Sequence, residues 1–271
     1  MKTIRFDHAW YSKAESWFCE HSNILEQSWR GLDFVEFKAA LYPLLPTFLT
    51  FRDGIKDLSI DEDRIFASFD QKFRYEVKRG ARECITAQFS DESNNLRIAV
   101  VFPAYINFCR RKKIDAIRMD VLDRYSGAGA LLISVARWHG LPVQYHLYFC
   151  GDRYACLLAS FPSSDESIKD KKLFGWANRL LHWEDIRHLK ARKLEIYVLG
   201  GLGNPVTSRN AQIVKFKMEM NPEIRTFFYG IIPLTWKAKI YYNIKQEARL
   251  SFGQERLVEP QRQRLHHRTP A

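Results

Sequence analysis

Between Asp61 and Glu83, apolar residues recur at steps of three and four (Phe66, Phe69, Phe73, Val77), the mark of a helix with one buried stripe. Asp61, Asp63 or Ser68 is a candidate cap for its start. A second helical pattern runs from Phe174 to Lys193, with Leu180, Leu181, Ile186 and Leu189 as its buried positions. Between them the period changes to two. Cys84–Phe89 reads as a strand, and Leu131–Arg137, Pro142–Phe149 and Tyr154–Ser160 read as a meander turning at Trp138-His139-Gly140 and Gly151-Asp152. Alternation of Val143, Tyr145, Leu147 and Phe149 predicts a half-buried antiparallel sheet, with His146 on its polar face, at the surface or in a cleft.

The remaining segments follow the same logic. The apolar run Leu96–Cys109 ends as a helix, whose Arg110-Arg111-Lys112-Lys113 terminus suits the negative end of the helix dipole. Ser12–Cys19 and Phe34–Leu41 have helical spacing; Leu44–Phe51 reads as a strand closed by a turn at Arg52-Asp53-Gly54. Ile117, Met119, Val121 and Leu122 suggest a strand. The strand Glu195–Leu199 stops at Gly200-Gly201-Leu202-Gly203, which permits positive φ and close backbone approach. After a polar loop comes a basic-aromatic strand, Ile213-Val214-Lys215-Phe216-Lys217. Tyr229–Trp236 reads as a strand or an interfacial segment, and a helix from Trp236 to about Leu250 ends the fold. Residues 251–271 are too polar to pack and read as a disordered basic tail.

Charge narrows the choice of partner. The formal net charge is +11, of which Arg249–Ala271 contributes +3 and the body +8. A basic body favours phosphates, nucleotide-linked substrates, RNA or an anionic membrane face. No run of about 18 apolar residues suggests a membrane span, and the start lacks an apolar signal core, so a cytoplasmic protein is expected. The five scattered cysteines form no Cys-x-x-Cys pair and no zinc-spaced cluster. Free thiols in a reducing compartment and no metal are the expectation.

Several stretches together resemble the FemABX-like acyl and aminoacyl transferases, a branch of the GNAT superfamily: Val135–Ser160, Ala177–Lys193, Ile196-Tyr197-Val198-Leu199-Gly200-Gly201, and Phe216-Lys217. The basic helix Phe73–Arg82 is a weaker match. Val198 stands where the family pattern carries Asp, and Glu219-Met220-Asn221-Pro222-Glu223 replaces its glycine-rich element. The resemblance implies an α/β (α+β) fold with a mixed, largely antiparallel sheet flanked by helices, in tandem GNAT-like subdomains. Residues 1–113 would form a reduced first subdomain and 114–250 the acyltransferase subdomain.

The resemblance also implies attack of an amine on an activated acyl carbonyl. The donor would be acyl-CoA or an aminoacyl-tRNA, and the acceptor an amine of a nucleotide- or lipid-linked sugar or peptide precursor at the inner face of the membrane. Lys217 would face the developing oxyanion or a phosphate, and Tyr197 would be an acid toward the leaving group. Gly200 and Gly201 amides would add hydrogen bonds, with His182, Trp183 and Phe216 around them, and Arg74, Lys78 and Arg82 would hold phosphates.

Two alternatives stay open. Arg124-Tyr125-Ser126-Gly127-Ala128-Gly129 resembles a pyrophosphate loop, a reading that requires Ala130–His139 to be helical. A non-catalytic basic protein binding RNA or an anionic membrane would account for the charge without chemistry. Against single-strand binding, the aromatic residues fall at core-like spacings and do not interleave with the cations.

Overall fold

A computed structural model describes residues 2–20, 29–45, 48–92, 96–164, 168, 170–202 and 208–251, with side chains at 208–210 and 245–251 set aside. Ten strands form one sheet: β1 (Lys2–Asp7), β2 (Ser12–Trp17), β3 (Phe34–Ala40), β4 (Leu49–Asp57), β5 (Ile85–Phe89), β6 (Leu131–Trp138), β7 (Leu141–Cys150), β8 (Tyr154–Pro162), β9 (Ile196–Val198) and β10 (Glu223–Pro233). Their spatial order is β1-β2-β3-β10-β4-β9-β8-β7-β6-β5. Only β2/β3 and β8/β9 pair in parallel. Seven helices are described: α1 (Glu62–Ser68), α2 (Gln71–Arg82), α3 (Ile98–Lys112), α4 (Met119–Gly127), α5 (Lys171–Ala191), α6 (Ser208–Met218) and α7 (Trp236–Ser251). The mixed, mostly antiparallel sheet flanked by helices is the fold class expected.

The meander shows how the sheet is packed. Tyr145, Leu147 and Phe149 of β7 enter a core layer with Tyr105 of α3 and Leu122 and Tyr125 of α4. Tyr148 and Cys150, on the alternate positions, enter the opposite layer with Leu180, Leu181 and Leu189 of α5 and Phe73 and Val77 of α2. Both faces are therefore covered. His146 is not at the surface, because α5 lies over the face that alternation marks as polar, and the ring is fully buried.

Covering both faces also explains the misread segments. Ser12–Trp17 and Phe34–Ala40 are strands rather than helices, paired in parallel with Glu15 directly opposite Glu36. Apolar residues lie on both faces of such strands, which blurs the period of two. Their charges are matched locally: Lys13 Nζ lies 2.9 Å from Glu15 and 2.7 Å from Glu36, and the Tyr125 hydroxyl donates to Glu15 at 2.5 Å. Met119–Gly127 is a helix burying Leu122 and Tyr125, three residues apart. Arg52-Asp53-Gly54 lies within β4, and Ile213–Lys217 belongs to α6 rather than to a strand. The 61–83 helix is two: Asp61 caps α1 through the Asp63 amide at 2.9 Å, and Asp70 caps α2 through the Phe73 amide at 2.7 Å.

The sheet continues across the expected 113/114 boundary. β5, before it, pairs with β6, while β10, from near the chain's end, lies between β3 and β4. The expected tail falls outside the described residues apart from Ser251, which ends α7.

Helix α2 packs tightly on α5, where a Cβ at Gly80 would come within 3.1 Å of the Trp176 carbonyl oxygen. Arg179 of α5 then ties three segments together. It lies 2.9 Å from Glu76 of α2 and 2.5 Å from Glu219, just beyond α6. Burial penalises the Glu219 charge, yet Lys72 and Arg179 outweigh it and hold the carboxyl below its ordinary range. A depressed carboxylate pKa stabilises the fold above the unfolded value near 4.5, and that contribution fades as pH falls. Replacing Glu219 with Gln leaves the buried Arg179 underpaired; urea denaturation at pH 7 should show a loss of about 3 kcal/mol. Glu219→Gln should also show less additional destabilisation on acidification than the parent.

Candidate functional site

The parallel pair β8/β9 is connected through α5, and at the end of β8 the chain leaves the sheet and enters that helix. Asp170 caps α5, accepting from the Lys172 amide at 2.8 Å. A cavity of about 590 Å³ opens at this junction, lined by Ser160, Ser163, Gly175 and Asn178, with Gln144 of β7 and Arg111 of α3. The crevice at the carboxyl end of a strand, beside the start of the following helix, is where α/β sheets hold ligands.

Behind the cavity wall runs a chain of buried polar groups. Gln144 donates to Ser160 Oγ at 2.9 Å, and Ser160 Oγ donates to Asn178 Oδ1 at 3.1 Å. His146 Nε2 lies 2.8 Å from the same amide oxygen, and His146 Nδ1 lies 2.6 Å from Asp185 Oδ2. The ring thus bridges the Asn178 amide and the Asp185 carboxylate through its two nitrogens. The Tyr148 hydroxyl also donates to Asp185 Oδ2, at 2.5 Å. It lies 3.3 Å from the Tyr197 hydroxyl, which meets His182 Nδ1 at 2.7 Å. The chain thus reaches from the cavity to the centre of the layer between α5 and the sheet.

Tyr197 and His182 come together inside this layer. Tyr197 is fully buried and His182 is 1% exposed. Burial, then the Asp185 carboxylate, pushes the Tyr197 phenol well above its ordinary range. Burial holds the His182 ring well below its usual value, and His146, Lys217 and Arg179 push the same way. His146, His182 and Asp185 have ligand-type atoms within 4.8 Å of one another. Since His146 uses both nitrogens, the atoms left without a hydrogen-bond partner are His182 Nε2 and Asp185 Oδ1. All five cysteines are free. Burial pushes Cys19 up to about 11 and Cys150 up to about 12, which disfavours a thiolate.

Lys217 and the two glycines form a separate clamp. Lys217 Nζ donates to the carbonyls of Gly200 at 2.6 Å and Gly201 at 2.5 Å. From the other side, Asp53 Oδ2 accepts the Gly201 amide at 2.5 Å and also bonds the Gly200 amide. Burial raises the Asp53 carboxyl pKa, against the lowering effect of those amides and of Lys217. Burial likewise lowers the Lys217 pKa, with Asp53 opposing. Gly200 has φ +79° and sits directly against the Leu157 carbonyl, leaving no room for a Cβ. The amides read as hydrogen-bond donors to a ligand are thus given to Asp53, and two of the three Lys217 N–H groups to the turn. A second cavity, about 230 Å³, borders this clamp at Asp53, Gly200 and Gly201 and is also lined by Lys38, Phe51 and Tyr229.

The other expected residues are dispersed. Trp183 packs on Phe66 with ring centroids 4.9 Å apart, and Phe216 lies 5.4 Å from the His182 ring. Arg74 and Lys78 line a surface hollow of about 380 Å³ along α1 and α2, whereas Arg82 is exposed at the far end of α2. The 124–129 pyrophosphate reading fails, because Leu131–Trp138 forms strand β6, not the helix it requires. Sequence reasoning missed His146, Asn178 and Asp185. The signal was polar residues 178, 182 and 185 recurring at four and three along the apolar stripe of α5.

A neutral, buried His182 makes the fold acid-sensitive. The unfolded chain protonates this ring near 6.5 while the folded one does not, so stability should fall as pH drops below that value. Urea midpoints at pH 7.5, 6.5 and 5.5 should show the loss, with a limiting slope of about 1.4 kcal/mol per pH unit. The double variant His182→Leu/Tyr197→Phe should flatten it.

No family model and no curated protein matches the chain. Solved structures do. FemX is similar with a TM-score of 0.59 at 9% identity, over 86% of this chain and 83% of that one. The C-terminal domain of a protein named as a lysylphosphatidylglycerol synthetase from Agrobacterium fabrum gives 0.53 at 12% identity, over 92% and 84%. With this sheet order and these likenesses, the chain shares the fold of FemX and of that synthetase domain.

Proposed function

We propose that the protein is an acyltransferase that moves an activated acyl or aminoacyl group onto an amine. The single observation that carries this reading is the 590 Å³ cavity at the β8/α5 junction, backed by the buried Asn178–His146–Asp185 chain. The structural neighbours support it: a lysylphosphatidylglycerol synthetase, by its name, joins a lysyl group to a phospholipid. The donor is an acyl-CoA or an aminoacyl-tRNA, its carbonyl seated against Ser160 and Asn178 and its phosphates drawn by Arg111. The acceptor is an amine of a nucleotide- or lipid-linked sugar or peptide precursor.

The chemistry asks for two things: a proton must leave the attacking amine, and the carbonyl oxygen must be met as it turns negative. The Asn178 side-chain NH2 is the donor placed to meet the carbonyl oxygen, with Ser160 donating its own proton to the Asn178 amide oxygen. The Asn178 amide is held through His146, which Asp185 orients, so its dipole is fixed before substrate arrives. Lys217 keeps the Gly200–Gly201 turn in its left-handed shape. Tyr197 and His182 act from the second layer, as support for Tyr148 and Asp185.

The test offers the purified chain aminoacyl-tRNA or acyl-CoA with an amino-sugar or peptidoglycan-precursor acceptor and follows the product by mass. Product is expected with one donor class. Asn178→Leu should lower kcat/KM by about 10²-fold or more at a temperature where the variant is still folded, with a fall in thermal midpoint from the unpaired His146 nitrogen measured alongside. Absence of product with every donor, together with no ligand-induced shift in melting, would sink the reading.

A further inference from the structure

Helix α7 exposes what most surface helices bury. Trp236, Ile240 and Ile244 follow at four-residue steps, so they lie on one stripe, and they are 68%, 52% and 61% exposed. The helix docks by its other side, through Ala238 at 3% exposure and through Tyr241, whose ring stacks on Tyr11 at 6.1 Å. That stacking brings the β1–β2 turn beside the helix, and the turn carries Trp10, which is 95% exposed. Trp236, Ile240 and Ile244 together leave an apolar stripe open to water, which soluble monomers rarely do.

The charges around the stripe indicate what covers it. Pro233–Gln246 holds three lysines (Lys237, Lys239 and Lys245) and no acid. Lys237 and Lys239 are exposed, and Lys237 Nζ lies 5.8 Å from the Trp236 ring. At the helix start, Asp33 is engaged by the Ser12 amide at 3.0 Å and by the Thr235 hydroxyl at 2.8 Å. A second copy of the chain fits poorly, because a two-fold pairing of this patch sets lysines against lysines between partners of formal charge +11 each. An anionic bilayer suits both parts: indole and aliphatic groups settle at the level of the headgroups while the lysines meet lipid phosphates. No described helix is long and apolar enough to cross a membrane, so contact would be in the plane of the interface.

We propose that the exposed stripe of α7 and its flanking lysines form a lipid-docking face that seats the protein on an anionic membrane surface. The proposal is independent of the acyl-transfer reading, since it is read without any reaction.

The experiment is co-sedimentation of the full chain with vesicles of phosphatidylglycerol and phosphatidylcholine, beside vesicles of phosphatidylcholine alone, with tryptophan emission recorded. Binding and a blue shift are expected with the anionic vesicles, and much weaker binding with the neutral ones. Ile240→Glu/Ile244→Glu should lower partitioning by about tenfold or more with the thermal midpoint unchanged. Lys237→Gln/Lys239→Gln should weaken binding to anionic vesicles only. Three results would overturn the proposal: no binding to anionic vesicles, equal binding by the parent and the Ile240→Glu/Ile244→Glu variant, or a solution dimer that this variant dissociates.

Discussion

A carboxylate at the centre of an apolar layer is costly unless it is paired, and Asp185, held through one oxygen, sets that constraint for this fold. It is fully buried, and one of its oxygens takes the Tyr148 hydroxyl and a His146 nitrogen together. Those two residues alternate on β7, and Asp185 comes from α5, so the register of helix on sheet follows from satisfying the group. Asn178, two turns earlier on the same helix, is then fixed against His146 and delivered to the cavity wall. Structural necessity and a prearranged polar wall are thus one arrangement.

The Gly200–Gly201 turn depends on a different balance. Its two glycines adopt positive φ, and opposite charges hold its backbone: Asp53 takes the amides and Lys217 the carbonyls. Neither charge is well solvated, and each opposes the pKa shift that burial imposes on the other. β4, β9 and α6 are joined through this clamp. Asp53, set in the strand next to β9, places a carboxylate against the glycine turn that ends β9.

Much of the fold was legible along the chain. The β6–β8 meander, α5 and its apolar stripe, the β9 strand and its glycine stop all follow from period and turn chemistry, which are local. The resemblance based on Ile196–Gly201 and Phe216-Lys217 led to the right fold. Where period failed, as in β2 and β3, the reason was burial on both faces, which removes the alternation that identifies a strand. α4 was misread because four apolar residues in a short span fit either period.

What the sequence determined by itself was the set of elements with a clear period, the glycine turn and the basic surplus. What only the tertiary structure decided was partnership. His146 is a polar residue on an alternating strand until α5 covers it; Lys217 is a cation after an aromatic until the glycine carbonyls reach it. Residues as far apart as Asp53 and Gly201, or Gln144 and Asn178, meet because strands distant in sequence are neighbours in the sheet. Hydrogen bonds act over about 3 Å in space, and spacing along the chain says nothing of that until the sheet order is known.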